Sequence, residues 1–252
     1  MIAQICEESK CTGCLACMNL CPCGAITCQE REDGNVIPQI DPEKCIECHR
    51  CVQGCPENHV KEKHEPRQCY AAWQKDRKER KYSASGGIAF GFYKRWIQNA
   101  GIVYGAAFNE KGILTQQKAE TLEEIKKFRG SKYAQSHTGF VYSDIGKELK
   151  KGEKVLFIGT PCQIAGLKAY LGKASDALVT IDLICHGTPP MSYLEEYIKE
   201  IAGAEKVDRV SFRGEKDYHM VFYSQDRVVY SQRFRKDLYY TCLLYTYDAA
   251  DE

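Results

Sequence analysis

The 252-residue sequence predicts an α+β protein of two unequal parts, and three observations point there. Two cysteine runs with the same internal spacing lie in the first quarter of the chain. From residue 83 the apolar pattern alternates between helical and strand periodicity. After Val207 it changes to Tyr- and Val-rich stretches broken at short intervals, the pattern of antiparallel strands.

The first run is Cys11, Cys14, Cys17 and Cys21 followed by Pro22; the second is Cys45, Cys48, Cys51 and Cys55 followed by Pro56. Each reads C-x2-C-x2-C-x3-C-P, the bacterial-type spacing for 4Fe-4S clusters, in which the fourth cysteine of each run ligates the other run's cluster. Cys11, Cys14 and Cys17 are therefore expected to share a cluster with Cys55, and Cys45, Cys48 and Cys51 with Cys21. Structural zinc is the competing reading, but zinc sites are usually built from separated C-x2-4-C pairs. Two runs in register make residues 1–62 a ferredoxin-type domain with two 4Fe-4S clusters, whose chemistry is electron transfer. Its apolar residues are few (Ile2, Ile5, Ile26, Val36, Ile37 and Ile40), with a hairpin signal at Asp33-Gly34. So small a core needs the clusters as crosslinks. Cys6, Cys23, Cys28 and Cys69 fall outside the spacing and read as packing cysteines, an additional ligand or redox role being the alternative.

Composition narrows the class. A formal net charge of +1 gives no electrostatic reason to expect nucleic acid or an anionic membrane. Fifteen cysteines would suit a disulfide-rich secreted protein, but eight belong to the cluster spacing and the chain opens without a charged-then-apolar leader. No apolar run approaches the roughly 18 residues needed to cross a bilayer. The expectation is a cytoplasmic protein without membrane insertion, from an anaerobic or oxygen-avoiding cell.

Residues 63–82 read as a linker within the polar stretch Lys61 to Lys81, either a solvated connection or an electrostatic docking patch. Trp73 reads as packing rather than as an electron relay. In residues 83–241, Ile88, Phe92, Tyr93 and Trp96 have helical spacing, and Ile102 to Phe108 reads as a strand. Thr121 and Glu124 form a capping box ahead of Leu122, Ile125 and Phe128. Val155 to Ile158 is a buried-strand run that leads into a helix started by Pro161 and stopped by Gly172. Leu178 to Ile184 is a second buried strand, and Ser192 with Glu195 a second capping box.

Three loops carry candidate chemistry. Ser85, Gly86 and Gly87 place small, donor-rich residues at a helix start, suited to a phosphate or equally to an ordinary turn. Lys132, Tyr133, Gln135 and Ser136 offer charge, a stacking surface and hydrogen bonds, an inventory that suits a flavin or nucleotide as well as a plain polar loop. Cys162 stands at a helix N-terminus, where its thiolate is favoured; Cys185 and His186 end the next strand near the same sheet edge. These three are the catalytic candidates, and small buried cysteines with a structural histidine are the alternative.

Taken in order, Ser85-Gly86-Gly87, the Gly130–Ser136 segment, the Val155–Leu167 segment containing Gly159-Thr160-Pro161-Cys162-Gln163, and Asp182-Leu183-Ile184-Cys185-His186-Gly187 resemble the coenzyme F-420 hydrogenase/dehydrogenase beta-subunit family. The resemblance runs from about Tyr70 to Phe212 and commonly includes an N-terminal two-cluster domain. It implies an α/β flavin-binding-type domain and an iron–sulfur flavoprotein oxidoreductase. FAD is the flavin it implies, with Ser85, Gly86, Gly87, Lys132, Tyr133, Gln135 and Ser136 as its contacts. The partner it implies is a redox protein or a small-molecule hydride donor or acceptor. A non-catalytic electron-transfer subunit and a polysaccharide-pathway accessory are the alternatives. The family usually continues further, whereas residues 242–252 read as a non-native, adapter-derived tail on a C-terminally truncated fragment. A short natural tail is the alternative, and Cys242 is not counted as a ligand.

Overall fold

The structure is a computed structural model that describes residues 2, 4–59, 65–213 and 218–248. The expected domain boundary at residue 62, the start of the linker and the last four residues lie outside these.

In the cysteine-rich part, helix α1 (Ala16–Leu20) and hairpin β1 (Ile26–Glu30)–β2 (Val36–Ile40) precede the short helix α2 (Arg50–Gln53). The hairpin pairs Ile26 with Ile40 and closes through Gly34 (φ +76°), with Asn35 N–H donating to Asp33 Oδ1 at 3.0 Å, as the Asp-Gly signal predicts. Ile2, Ile5, Leu15, Met18 and Ile26 pack with Cys17, Cys51 and Cys55, so the core is built around thiols.

The two cysteine runs share one backbone device. Gly13 and Leu15 flank Cys14 in the left-handed region, and Glu47 and His49 flank Cys48 in the same way. Leu15 and His49 then cap α1 and α2. Only the first run uses glycine. A Cβ on Gly13 would stand 2.8 Å from both Gln135 Nε2 and the Val36 carbonyl, because the second domain covers this turn.

The linker reading is too plain. Asp76 caps a helical turn, α3 (Arg77–Lys81), by accepting from Lys78 and Glu79 N–H. Trp73 is 61% exposed, so the packing expected of it is slight.

The second domain holds a four-stranded sheet in the order β4-β3-β5-β6, where β3 is Ile102–Phe108, β4 Leu114–Ala119, β5 Val155–Gly159 and β6 Leu178–Asp182. β3 and β4 are antiparallel; β3, β5 and β6 run parallel. Alternation along β3 and β5 fills both faces. Val103, Leu156 and Ile158 pack under α4 (Ile88–Gln98) and the 3-10 turn Glu124–Phe128. Ile102, Tyr104, Val155 and Phe157 pack under α5 (Val141–Lys150) and α6 (Pro161–Leu171), where Ala16 of the cysteine-rich domain joins the same core. α6 runs from Pro161 to a left-handed Gly172 (φ +69°), as the sequence predicts.

Three sequence expectations are corrected. Thr121 and Glu124 do exchange capping hydrogen bonds, but they open a single 3-10 turn with Leu122 facing solvent. β6 ends at Asp182 and Ile184 is 93% exposed, because β6 is an edge strand of the sheet. Ser192 lies inside α7 (Met191–Ala202), whose cap is Pro190.

The chain ends in an antiparallel sheet, β7 (Arg209–Ser211), β8 (His219–Ser224) and β9 (Arg227–Arg233), packed with α7 and α8 (Leu238–Asp248) through Leu194, Tyr197, Phe222, Tyr239 and Leu243. Among the described residues no helix is long and apolar enough to cross a membrane.

Phe157 is fully buried at the centre of the sheet, whereas Val179 on β6 is 39% exposed. Phe157→Ala is expected to lower stability by about 3–5 kcal/mol, and Val179→Ala by less than about 1 kcal/mol. Urea unfolding of the two variants measures this, and equal losses would contradict the layering described.

Candidate functional site

The first site is a cavity lined by Cys11, Cys14, Cys17 and Cys55, the set that crossed ligation predicts. Cys55 arrives because the 3-10 turn Pro56–Asn58 is tied back by Asn58 Nδ2, which donates to the carbonyls of Ile5 and Val52, each at 2.8 Å. The second set forms the same way, with Cys21 and Cys48 both near enough to Cys51 to act on its thiol electrostatically.

Among the described residues no three His, Cys, Asp or Glu side chains converge on a point that would hold one metal ion. Thiolates around a single zinc, at about 2.3 Å from it, would lie about 3.8 Å from one another. Four thiols around a cavity fit a cluster with bulk of its own. Burial pushes the Cys14 thiol up to about 11 and raises Cys17 further, so a bound cluster's positive iron would be what holds these side chains as thiolates.

The two cluster sites face different surroundings. Cys14 is gripped by the second domain: Thr138 Oγ1 and Tyr142 OH donate to its carbonyl at 3.0 and 2.9 Å. Asn19 on α1 donates to the Gly139 carbonyl at 2.8 Å and accepts from Ser143 N–H. Cys162, at the start of α6, lies close enough to Cys14 for their thiolates to repel, and Thr160 Oγ1 is 3.1 Å from its sulfur. Cys48 is exposed, as are His49 and Ile46 beside it. One cluster site is inner and the other outer.

The remaining cysteines divide by environment. Cys6 lines the inner cavity, whereas the Cys23 sulfur is 3.7 Å from that of Cys21. Cys28 donates to Met18 Sδ at 3.7 Å, the packing role expected of it. Cys69 and Cys242 are exposed.

The second domain brings two of the predicted loops together. Gly87 caps α4 without a side-chain hydrogen bond, and Ser85 is left-handed (φ +50°). Arg129 bonds Glu79 just upstream of that loop and lays its guanidinium 4.1 Å over the Phe90 ring just downstream. The amine of half-buried Lys132 donates to the carbonyls of Arg129 and Gly130, at 2.9 and 3.3 Å, and desolvation there pushes it down to about 7. Arg129 Nε is buried and meets no acceptor among the described residues. Arg129 thus brings one positive charge, Lys132 a second when it is protonated, and Glu79 one negative. An anion, such as a pyrophosphate, fits that imbalance.

Tyr133, Gln135 and Ser136 have partners within the chain. Tyr133 packs edge-on against Phe212 and Tyr240, and its carbonyl accepts from Tyr239. Gln135 N–H donates to the Pro189 carbonyl, and its Nε2 reaches the Thr12 carbonyl at 3.4 Å. Ser136 accepts from Gln163 Nε2 at 2.9 Å. Gln163 Oε1 in turn accepts from Thr160 N–H and Gln116. Cys185 accepts from Gly187 N–H, and His186 is exposed. Both follow β6, whose Asp182 pairs with Gly159 of β5, so Cys185 stands as far past its strand as Cys162 does past β5.

Sequence reasoning missed Arg129, Thr138 and Tyr142. A basic residue directly before the Gly-Ser-Lys turn was the available signal for Arg129. Nothing local marks Thr138 or Tyr142, whose partner lies more than 120 residues away.

Residues 10–59 match the family described as 4Fe-4S dicluster domain, and residues 152–251 match the family described as the C terminus of the coenzyme F420 hydrogenase/dehydrogenase beta subunit. Each stretch is thus similar to the family that its model describes. The beta-subunit family is one of oxidoreductases, and the dicluster match spans all eight cysteines of the two runs. The chain is 25% identical over 200 residues to one of the subunits of the F(420)H(2) dehydrogenase of Methanosarcina mazei, covering 73% of this chain but only 55% of that protein. The dicluster domain is 44% identical over 48 residues to one of the subunits of the Na(+)-translocating ferredoxin:NAD(+) oxidoreductase complex of Acetobacterium woodii, 19% of this chain and 13% of that protein. A chain of the F420-reducing NiFe hydrogenase complex from Methanosarcina barkeri overlaps with a TM-score of 0.45 at 19% identity, covering 65% of this chain and 59% of that one.

Cys48→Ala is expected to leave about four of about eight irons per chain, while Cys23→Ala keeps all of them. Iron and sulfide determination on anaerobically purified protein decides this. Loss of a cluster from Cys23→Ala would make Cys23 a ligand.

Proposed function

We propose that the chain is the electron-transfer part of an iron–sulfur flavoprotein oxidoreductase. One observation carries the reading: the inner cluster ligand Cys14 is held by hydrogen bonds from the second domain, so the two parts are built as one unit. In this reading the second domain binds FAD. Arg129 and Lys132 hold its phosphates beside Ser85, Gly86 and Gly87 at the uncapped start of α4. A bound flavin would supply the exchange between one-electron and two-electron chemistry that clusters lack.

The chain's own residues have definite tasks here. Thr138 and Tyr142 fix the inner cluster loop, and Gln135 lies against Gly13 and donates to the Thr12 carbonyl. Cys162 and Thr160 stand between that loop and the sheet edge, the place to position or protonate a bound two-electron partner. The exposed Cys48 turn is the side offered to a redox partner protein. The dehydrogenase and ferredoxin-oxidoreductase relatives are named as parts of larger assemblies, which suits such a partner. A second reading, an electron carrier without its own flavin, is favoured by the engagement of Tyr133, Gln135 and Ser136 within the protein.

Cofactor analysis of anaerobically purified protein separates the two: about eight irons with one flavin is expected, and about eight irons without flavin leaves only the carrier.

The Lys132 amine, pushed down to about 7, regains its proton when it holds an anion. Binding of FAD to flavin-free protein should therefore weaken by up to about tenfold per unit as pH rises above about 7, and stay level below it. In Lys132→Met that slope should vanish. A pH-independent affinity in the unmodified chain would remove Lys132 from the site.

A further inference from the structure

The inner cluster cavity contains a sulfur beyond the four that a cluster needs. Cys6 lines it together with Cys11, Cys14, Cys17 and Cys55. Its thiol lies close enough to two of those cysteines, Cys11 and Cys55, to act on theirs electrostatically. The placement is built in. Ile5 is buried and its carbonyl is held by Asn58, on the same short turn that delivers Cys55. Between Cys6 and Cys11 the chain folds through the 3-10 turn Glu8–Lys10, in which Lys10 N–H donates to the Glu7 carbonyl at 3.0 Å. That turn brings Cys6 back over Cys11 instead of letting the chain run away from it. Of the other spare cysteines, Cys28 is bonded to a methionine sulfur and Cys69 is exposed, while Cys23 lies 3.7 Å from Cys21 of the outer set.

We propose that Cys6 is a reserve ligand of the inner cluster, placed to take over the iron held by Cys11 or by Cys55. The proposal rests on the reading of the eight cysteines as two four-iron sites. The exchange balances without an oxidant or reductant. The iron–sulfur bond to the departing cysteine breaks, a bond from iron to the Cys6 sulfur forms, and the Cys6 thiol proton passes to the departing thiolate. The ligand thiols that act most strongly on Cys6 are those of Cys11 and Cys55 rather than Cys14 or Cys17. The reserve therefore covers two of the four irons.

The test uses the whole chain, purified without oxygen, as Cys6→Ala, Cys11→Ala, Cys17→Ala and the double variant Cys6→Ala/Cys11→Ala. Iron content and the electron paramagnetic resonance of the reduced protein are measured. About eight irons are expected in the unmodified chain, Cys6→Ala and Cys11→Ala, and about four in Cys17→Ala and the double variant. Thiol alkylation with peptide mapping gives a second readout: Cys6 should be modified in the unmodified chain and protected in Cys11→Ala. The idea is overturned if Cys11→Ala loses as much iron as the double variant with Cys6 still open to alkylation. It is equally overturned if Cys6→Ala alone loses a cluster, which would make Cys6 obligatory. An unmodified chain without iron would instead sink the cluster reading itself.

Discussion

The carbonyl oxygen of Cys14 accepts from Thr138 and Tyr142 at once, and much of the molecule follows from that junction. A buried carbonyl left without a donor costs on the order of 1–3 kcal/mol, so two donors from a different domain amount to a firm attachment. The neighbours of Cys14 are shaped by it. Gly13 is left-handed and a side chain there would meet the fixed Val36 carbonyl; Leu15 is 2% exposed; Ala16 belongs to the core of α5 and α6. The first cysteine turn is thus packed against the core of the second domain, with Cys14 on its margin and Ala16 within it.

The segment from Arg129 to Gly139 turns this junction into a route. At one end Arg129 bridges the two sides of the Ser85–Gly87 loop. At the other, Thr138 and Gly139 hold α1 and Cys14. Between them Ser136 is clamped by Gln163, which also braces Thr160 at the start of α6. Anything bound beside Lys132 is therefore joined to the inner cysteine loop by a short run of chain with fixed partners. Tyr133, whose aromatic face suggested stacking from the sequence, serves as the anchor that ties this segment to β7–β9 and α8.

What was legible in the sequence was whatever local chemistry controls. Thiol spacing pointed to the inner cysteine set and its crossing, and the Val155–Gly172 stretch announced β5 and α6 through its apolar run, its proline and its glycine. Misreadings arose where local signals compete with tertiary burial. Ser192 and Glu195 have capping-box spacing, but Pro190 already starts α7. Leu183 and Ile184 extend an apolar run, yet no strand pairs beyond Asp182. In the candidate site, residue type pointed to charge and hydrogen bonding without saying where they would be used. Gln135 and Ser136 look like ligand contacts until their partners, Thr12 and Gln163, come into view from distant parts of the chain.

The paired left-handed residues around Cys14 and Cys48 have one more consequence. The backbone presents the two cysteine turns alike, while the solvent treats them differently: Leu15 is sealed under a protein layer and His49 meets water. Adding an electron to a cluster adds negative charge, which water stabilises better than a dry interior does, and exposure is one of the levers that set cluster potentials. The covered site should be the harder of the two to reduce on that account, unless its hydrogen bonds compensate. A duplicated thiol pattern is thereby laid against unequal dielectric surroundings, one turn dry and one wet.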